Sequence, residues 1–105
     1  MEPDELHDLE VELRRVVDRL DSMPLPRAES AAADCRTAAQ FIVDRTRPLC
    51  DDIPVDARVP ALGAQGLGSM LAVVGRDYLT AVRSAPDADI APVVDALVTL
   101  RRALP

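Results

Sequence analysis

Several groups of residues in this chain of 105 residues combine types and spacings that could do chemistry. Gly63-x-x-Gly66-x-Gly68-Ser69 leads into an apolar stretch, and a glycine turn at a helix start can cradle a phosphate on its free N–H groups. A nucleotide phosphate loop needs Gly-Lys-Ser/Thr, and the chain has no lysine. A dinucleotide fingerprint needs a strand before the glycines, and Ala57-Arg58-Val59-Pro60 does not read as one. The glycines read better as small residues at a helix–helix contact. Asp4, His7 and Asp8 share one turn, but His7 is the only histidine, and no second His or Cys stands at ligand spacing. The Glu-x-x-His pairs of a carboxylate di-metal bundle do not occur either. Cys35 lies on an apolar stripe, where a thiol behaves as a small hydrophobe. Tyr78, beside Arg76 and Asp77, has no His or Lys partner for acid catalysis. It reads as a core tyrosine with its hydroxyl at the rim.

The run Leu-Arg-Arg-Val-Val-Asp-Arg-Leu-Asp, residues 13–21, resembles the first-helix pattern of the small helical chorismate mutases. The match implies an all-helical enzyme in which Arg14 would be the substrate-binding arginine. It covers nine residues, most of them a heptad seam. Two features depart from that family: Pro24 and Pro26 break the long first helix, and no lysine is available for a later basic position.

The elements that must position these residues are helices. Leu6, Leu9, Leu13, Val16, Leu20 and Met23 recur at steps of three and four, which predicts a first helix over residues 3–22. Pro3 and the acids Asp4, Glu5 and Asp8 suit its start. Glu10 and Arg14 stand at i,i+4 and predict an ion pair on its outer face. A second helix is expected from residue 26 or 27 to about residue 47. It turns Ala28, Ala31, Cys35, Ala38, Ile42 and Leu49 inward, with Ala32, Ala39 and Phe41 beside them. Pro48, Pro54 and Pro60 forbid a regular helix over residues 48–60, which read as a long crossing loop. There Ile53, Val55 and Val59 are candidates to cover the core.

A third helix is expected over residues 62–84. Its seam is Ala64, Leu67, Leu71, Val74, Tyr78 and Ala81, and Ala64, Gly68, Ala72 and Gly75 form a small-residue ridge. Met70, Val73, Leu79 and Val82 make it apolar on nearly every side, so it should be central or covered by a partner. Glycine costs about 1 kcal/mol relative to alanine in a helix, so its first turns should be irregular. A fourth helix is expected over residues 89–103. Its seam is Ile90, Val93, Leu97, Leu100 and Leu104, with Ala91, Val94 and Val98 as a second stripe. The fold class is therefore all-α, one domain over residues 1–105. It is a four-helix bundle in an up-down arrangement, with a Pro-rich loop between helices 2 and 3.

Composition bounds function by exclusion. Only Phe41 and Tyr78 are aromatic, so the core must be aliphatic. The net charge is -6, and no basic stripe interleaves with aromatics, which argues against nucleic acid. Residues 1–58 hold 14 acids and 8 arginines, a net of -6, while residues 59–105 hold 4 of each and balance. The longest uncharged run, residues 59–75, holds all four glycines and falls short of the roughly 20 apolar residues a span needs. No signal peptide is read at the start, because Met-Glu-Pro-Asp-Glu offers neither basic nor apolar character. Cys35 and Cys50, if on one helix, would stand roughly 22 Å apart, beyond disulfide reach. Free thiols fit a reducing compartment, so a cytoplasmic setting is expected. The all-arginine basic set, with abundant Ala, Val and Asp, suggests a GC-rich bacterial origin.

These features point to a non-enzymatic interaction or scaffold domain with no cofactor and no metal. Its partner is a second copy or another protein, met through helices 3 and 4 at Met70, Val73, Val94 and Val98. The alternative is a small-molecule bundle with an apolar cavity between helices 2 and 3. A further alternative is the mutase-like enzyme.

Overall fold

The computed structural model describes all residues except 1, 51, 52, 55 and 60–62. It contains four helices: α1 (Pro3–Asp21), α2 (Leu25–Thr46), α3 (Leu67–Arg83) and α4 (Ala91–Ala103). No strand occurs among the described residues. The chain folds as an all-α four-helix bundle.

Each helix forms for a local reason and stops for one. Pro3 opens α1 at a position where its missing N–H is not needed, and the Glu5 carboxylate accepts a bond from the Glu2 N–H at 3.2 Å. Ser22 closes α1 through its hydroxyl, which donates to the Asp18 carbonyl at 2.6 Å. Ser22, Met23 and Pro24 link α1 to α2, with Pro24 at the cap position before Leu25. Thr46 ends α2 by donating its buried hydroxyl to the Ile42 carbonyl at 2.7 Å, and a single 3₁₀ turn (Arg47–Leu49) follows. The glycine-rich approach to α3 is irregular as expected: Ala64–Gly66 is a 3₁₀ turn and the α-helix begins only at Leu67. The expected start at Leu62 lies outside the described residues. Asp89 caps the entry to α4 by accepting the Ala91 N–H at 3.1 Å.

The seams meet in one core. Leu9, Leu13, Val16 and Leu20 of α1 are buried with Ala28, Ala31, Cys35, Ala38, Ala39 and Ile42 of α2. From α3 come Leu67, Met70, Leu71, Tyr78, Leu79 and Val82, and from the α4 region Ile90, Val93, Leu97, Leu100 and Leu104. Each fully buried aliphatic side chain contributes about 1.5–3 kcal/mol relative to an exposed one. Six residues assigned to the seams sit shallower than the rest: Leu6, Met23, Leu49, Ala64, Val74 and Ala81 are only half-buried.

Each of α3 and α4 packs on both α1 and α2, so α1 lies diagonally across the bundle from α2, and α3 from α4. Contacts at both ends of each pair fix the directions. Leu13 of α1 faces Gly75 of α3, and Glu10 reaches Arg83, so α1 and α3 are antiparallel. Glu12 meets Arg101, and Arg19 donates to the Pro105 carbonyl, so α1 and α4 run the same way. Ala28 lies beside Gly68 and Arg45 near Tyr78, so α2 and α3 run together. The helices thus run up, down, down, up. Two consecutive helices pointing the same way need a connection that returns along the bundle, and this explains the length of the segment between α2 and α3.

The described part of that segment is stitched to α2. Gln40 donates to the Ala57 carbonyl at 3.1 Å and accepts the Val59 N–H at 2.8 Å. Arg47 Nε donates to the Pro54 carbonyl at 3.1 Å. Val59 packs against the core, and Ile53 is half-buried. Val55, the third residue expected to cover the core, lies outside the described residues.

Candidate functional site

The residues singled out by sequence mostly take structural places. Asp4, His7 and Asp8 stand exposed on the first turns of α1, and no cluster able to hold a metal forms among the described residues. Cys35 is fully buried, and burial pushes its thiol up to about 11, so it is a poor nucleophile. Both cysteines are free thiols; Cys50 lies beyond the end of α2 and not on one helix with Cys35 as the spacing argument assumed. Tyr78 is buried at 2% exposure, and the same desolvation raises its hydroxyl above the ordinary tyrosine range. No helix among the described residues is long and apolar enough to cross a membrane.

The four expected interface residues do not share one face. Met70 is inside the core. Val73 points outward at 61% exposure. Val94 and Val98 are half-buried on α4, which lies diagonally across the bundle from α3. The physical reason is the topology. Between them α1 and α2 cover most of the apolar surface of α3, and only Val73 is left exposed among its large apolar side chains.

The room expected between α2 and α3 is filled differently. Gly68 and Gly75 face α1: a Cβ added at Gly75 would stand 2.5 Å from the Leu13 methyls, and one added at Gly68 would meet the Asp21 carboxylate. The buried alanines of α2 bring its backbone close to its neighbours. A small cavity of about 170 Å³ remains at one end, between Met23, Leu25, Ala28, Ala64 and Gly68. The larger grooves lie on the outside of the bundle.

One groove of about 570 Å³ runs between α2 and α4. Its floor is Ala38, Phe41, Pro92, Ala96, Leu100 and Ala103, and its rim carries Asp34 and Asp95 with Thr37 and Thr99. Phe41, expected beside the core, is 37% exposed instead. Its ring separates this groove from a second depression of about 660 Å³ that reaches Arg58 and Val59 of the crossing segment. Gln40, which sequence inspection passed over, shapes that second depression by holding the segment in place. It also donates to Asp44 at 2.9 Å, and that bond, helped by Arg47, keeps the Asp44 carboxyl below the usual range.

The second main groove, about 510 Å³, lies between α1 and α3. Arg14, Arg76 and Arg83 line it with Glu10, Asp18 and Thr80, over a floor that includes Leu13, Val17, Ala72 and Leu79. Arg14, the residue picked out by the mutase resemblance, therefore borders a groove. Its expected partner Glu10 is taken by Arg83 of α3 at 2.7 Å.

Compared with known proteins, the chain matches no family model, no curated protein and no solved structure.

Proposed function

We propose that this bundle is a non-enzymatic interaction domain that receives a basic amphipathic helix of another protein along the α2–α4 groove. The observation that carries the reading is Phe41, a large aromatic left 37% exposed between two depressions. Aromatic residues anchor interfaces because they bury much area with few rotatable bonds. The groove's charged lining residues are both acids, Asp34 and Asp95, and the chain carries a net charge of -6. A helix with an apolar stripe flanked by Lys or Arg complements such a trough and is steered to it. The acidic rim disfavours a second copy here, because a two-fold contact would bring like charges together. The free thiols support a cytoplasmic setting for this activity.

A labelled Leu/Lys model helix, titrated with the full chain and followed by fluorescence anisotropy, tests the reading. Saturable binding is expected, and Phe41→Asp should weaken it roughly tenfold or more, as truncating an anchor does. Equal binding by Phe41→Asp, or by a scrambled peptide of the same composition, would overturn it.

Self-association is the second reading, and it rests on the exposure of Val73. With Met70 in the core, Val73 alone would carry the α3 side of such a contact. Solution mass over a range of concentrations separates a dimer through that face from a monomer awaiting a foreign helix.

A further inference from the structure

We propose that the α1–α3 groove is an oxyanion-binding site for a small molecule carrying one carboxylate or phosphate group on a short apolar body. The cations come from both walls. Arg76 and Arg83 stand seven residues apart on α3 and therefore share a face, while Arg14 projects from the antiparallel α1. Arg83 is held by Glu10 at 2.7 Å. That cross-helix pair occupies the carboxylate that spacing assigns to Arg14. Among the described residues neither Arg14 nor Arg76 makes an ion pair or hydrogen bond, although seven acids lie on α1.

A guanidinium presents planar forked donors that match a carboxylate or phosphate edge in bidentate fashion. Two unpaired forks on facing helices offer one oxyanion several donors at once, and the Thr80 hydroxyl adds another at the same groove. Three arginines against Glu10 and Asp18 leave the lining one positive charge in a chain of net charge -6. Beneath the charges, Ala72 and Leu79 give an apolar body a surface to rest on. Asp18 is the opposing group: it lines the same groove, has no ion-pair partner among the described residues, and competes for the arginines.

The test is a two-dimensional NMR titration of the full chain at constant ionic strength, with phenyl phosphate, benzoate and inorganic phosphate as separate probes. Saturable shifts confined to residues 10–18 and 72–83 are expected with at least one of the two organic anions. Which of them binds assigns the oxyanion, and saturation by inorganic phosphate alone would refute the apolar subsite. The double variant Arg14→Gln/Arg76→Gln should weaken binding at least tenfold, while Asp18→Asn should tighten it a few-fold. Arg102→Gln, a solvent-exposed change on α4, should leave it unchanged. All four substituted side chains are exposed, so circular dichroism should show native helix content in each variant. Shifts that never saturate, or an equal loss in Arg102→Gln, would overturn the proposal. So would an Asp18→Asn chain that binds no better than the parent.

Discussion

Glu12 is the acid whose surroundings differ most from its neighbours on α1. It is 9% exposed and receives Arg101 Nε from α4 at 2.9 Å and Arg15 from its own helix at 3.2 Å. The hydrogen bond from Arg101 is the largest influence and lowers the Glu12 carboxyl below its ordinary value, against the opposing effect of burial. A carboxyl lowered in the folded state stabilises the fold above its unfolded value and loses that contribution as pH falls through its folded value. Glu12→Gln should therefore cost about 1.5–3 kcal/mol at neutral pH, the range for a hydrogen bond to a charged group. The gap between variant and parent should close as pH drops below about 4, where glutamate protonates. Urea unfolding at a series of pH values measures both. The residue was visible in sequence only as one acid among many, because its partner Arg101 is 89 positions away.

At the scale of elements, the approach of α3 to α1 depends on two glycines that sequence marked as a ridge without saying what they face. Gly75 lies against Leu13, which is itself buried, so a methyl there must push a core side chain. Gly68 lies against the end of Asp21, an exposed side chain free to swing away. Alanine gains about 1 kcal/mol of helix propensity over glycine at either site. Overpacking of a core costs about 1–3 kcal/mol. Gly75→Ala should thus destabilise by about 1 kcal/mol, whereas Gly68→Ala should be neutral or stabilising. Thermal unfolding of the two variants under one condition tests the contrast. The connection between α2 and α3 follows the same pattern. Its prolines announced an irregular segment, but Gln40, which binds it to α2 in both directions, carries no mark in the sequence. A glutamine on a helix face looks the same whether it meets water or a returning loop.

At the scale of the whole molecule, the question is which apolar surface remains after folding. α3 is apolar on nearly every side, yet α1 and α2 together cover most of it and leave Val73 at 61% exposure. Val73→Glu should shift stability by no more than about 0.5 kcal/mol, as surface substitutions do. It should also leave the solution mass unchanged if the α2–α4 groove is the docking face. Light scattering on a sizing column decides, and a dimer that becomes a monomer with this change would assign association to α3. The sequence by itself determined four helices, their approximate limits, an aliphatic core and the residues of each seam. Those follow from local periodicity, prolines and capping, which act within a few residues. Only the tertiary structure decided that the helices run up, down, down, up, that α3 and α4 stand on a diagonal, and that Phe41 lies outside. It also decided that Glu10 serves Arg83 and leaves Arg14 open to a groove. Those outcomes depend on which helix faces which, and neighbours in space are set by the joint burial of all four seams rather than by any one of them.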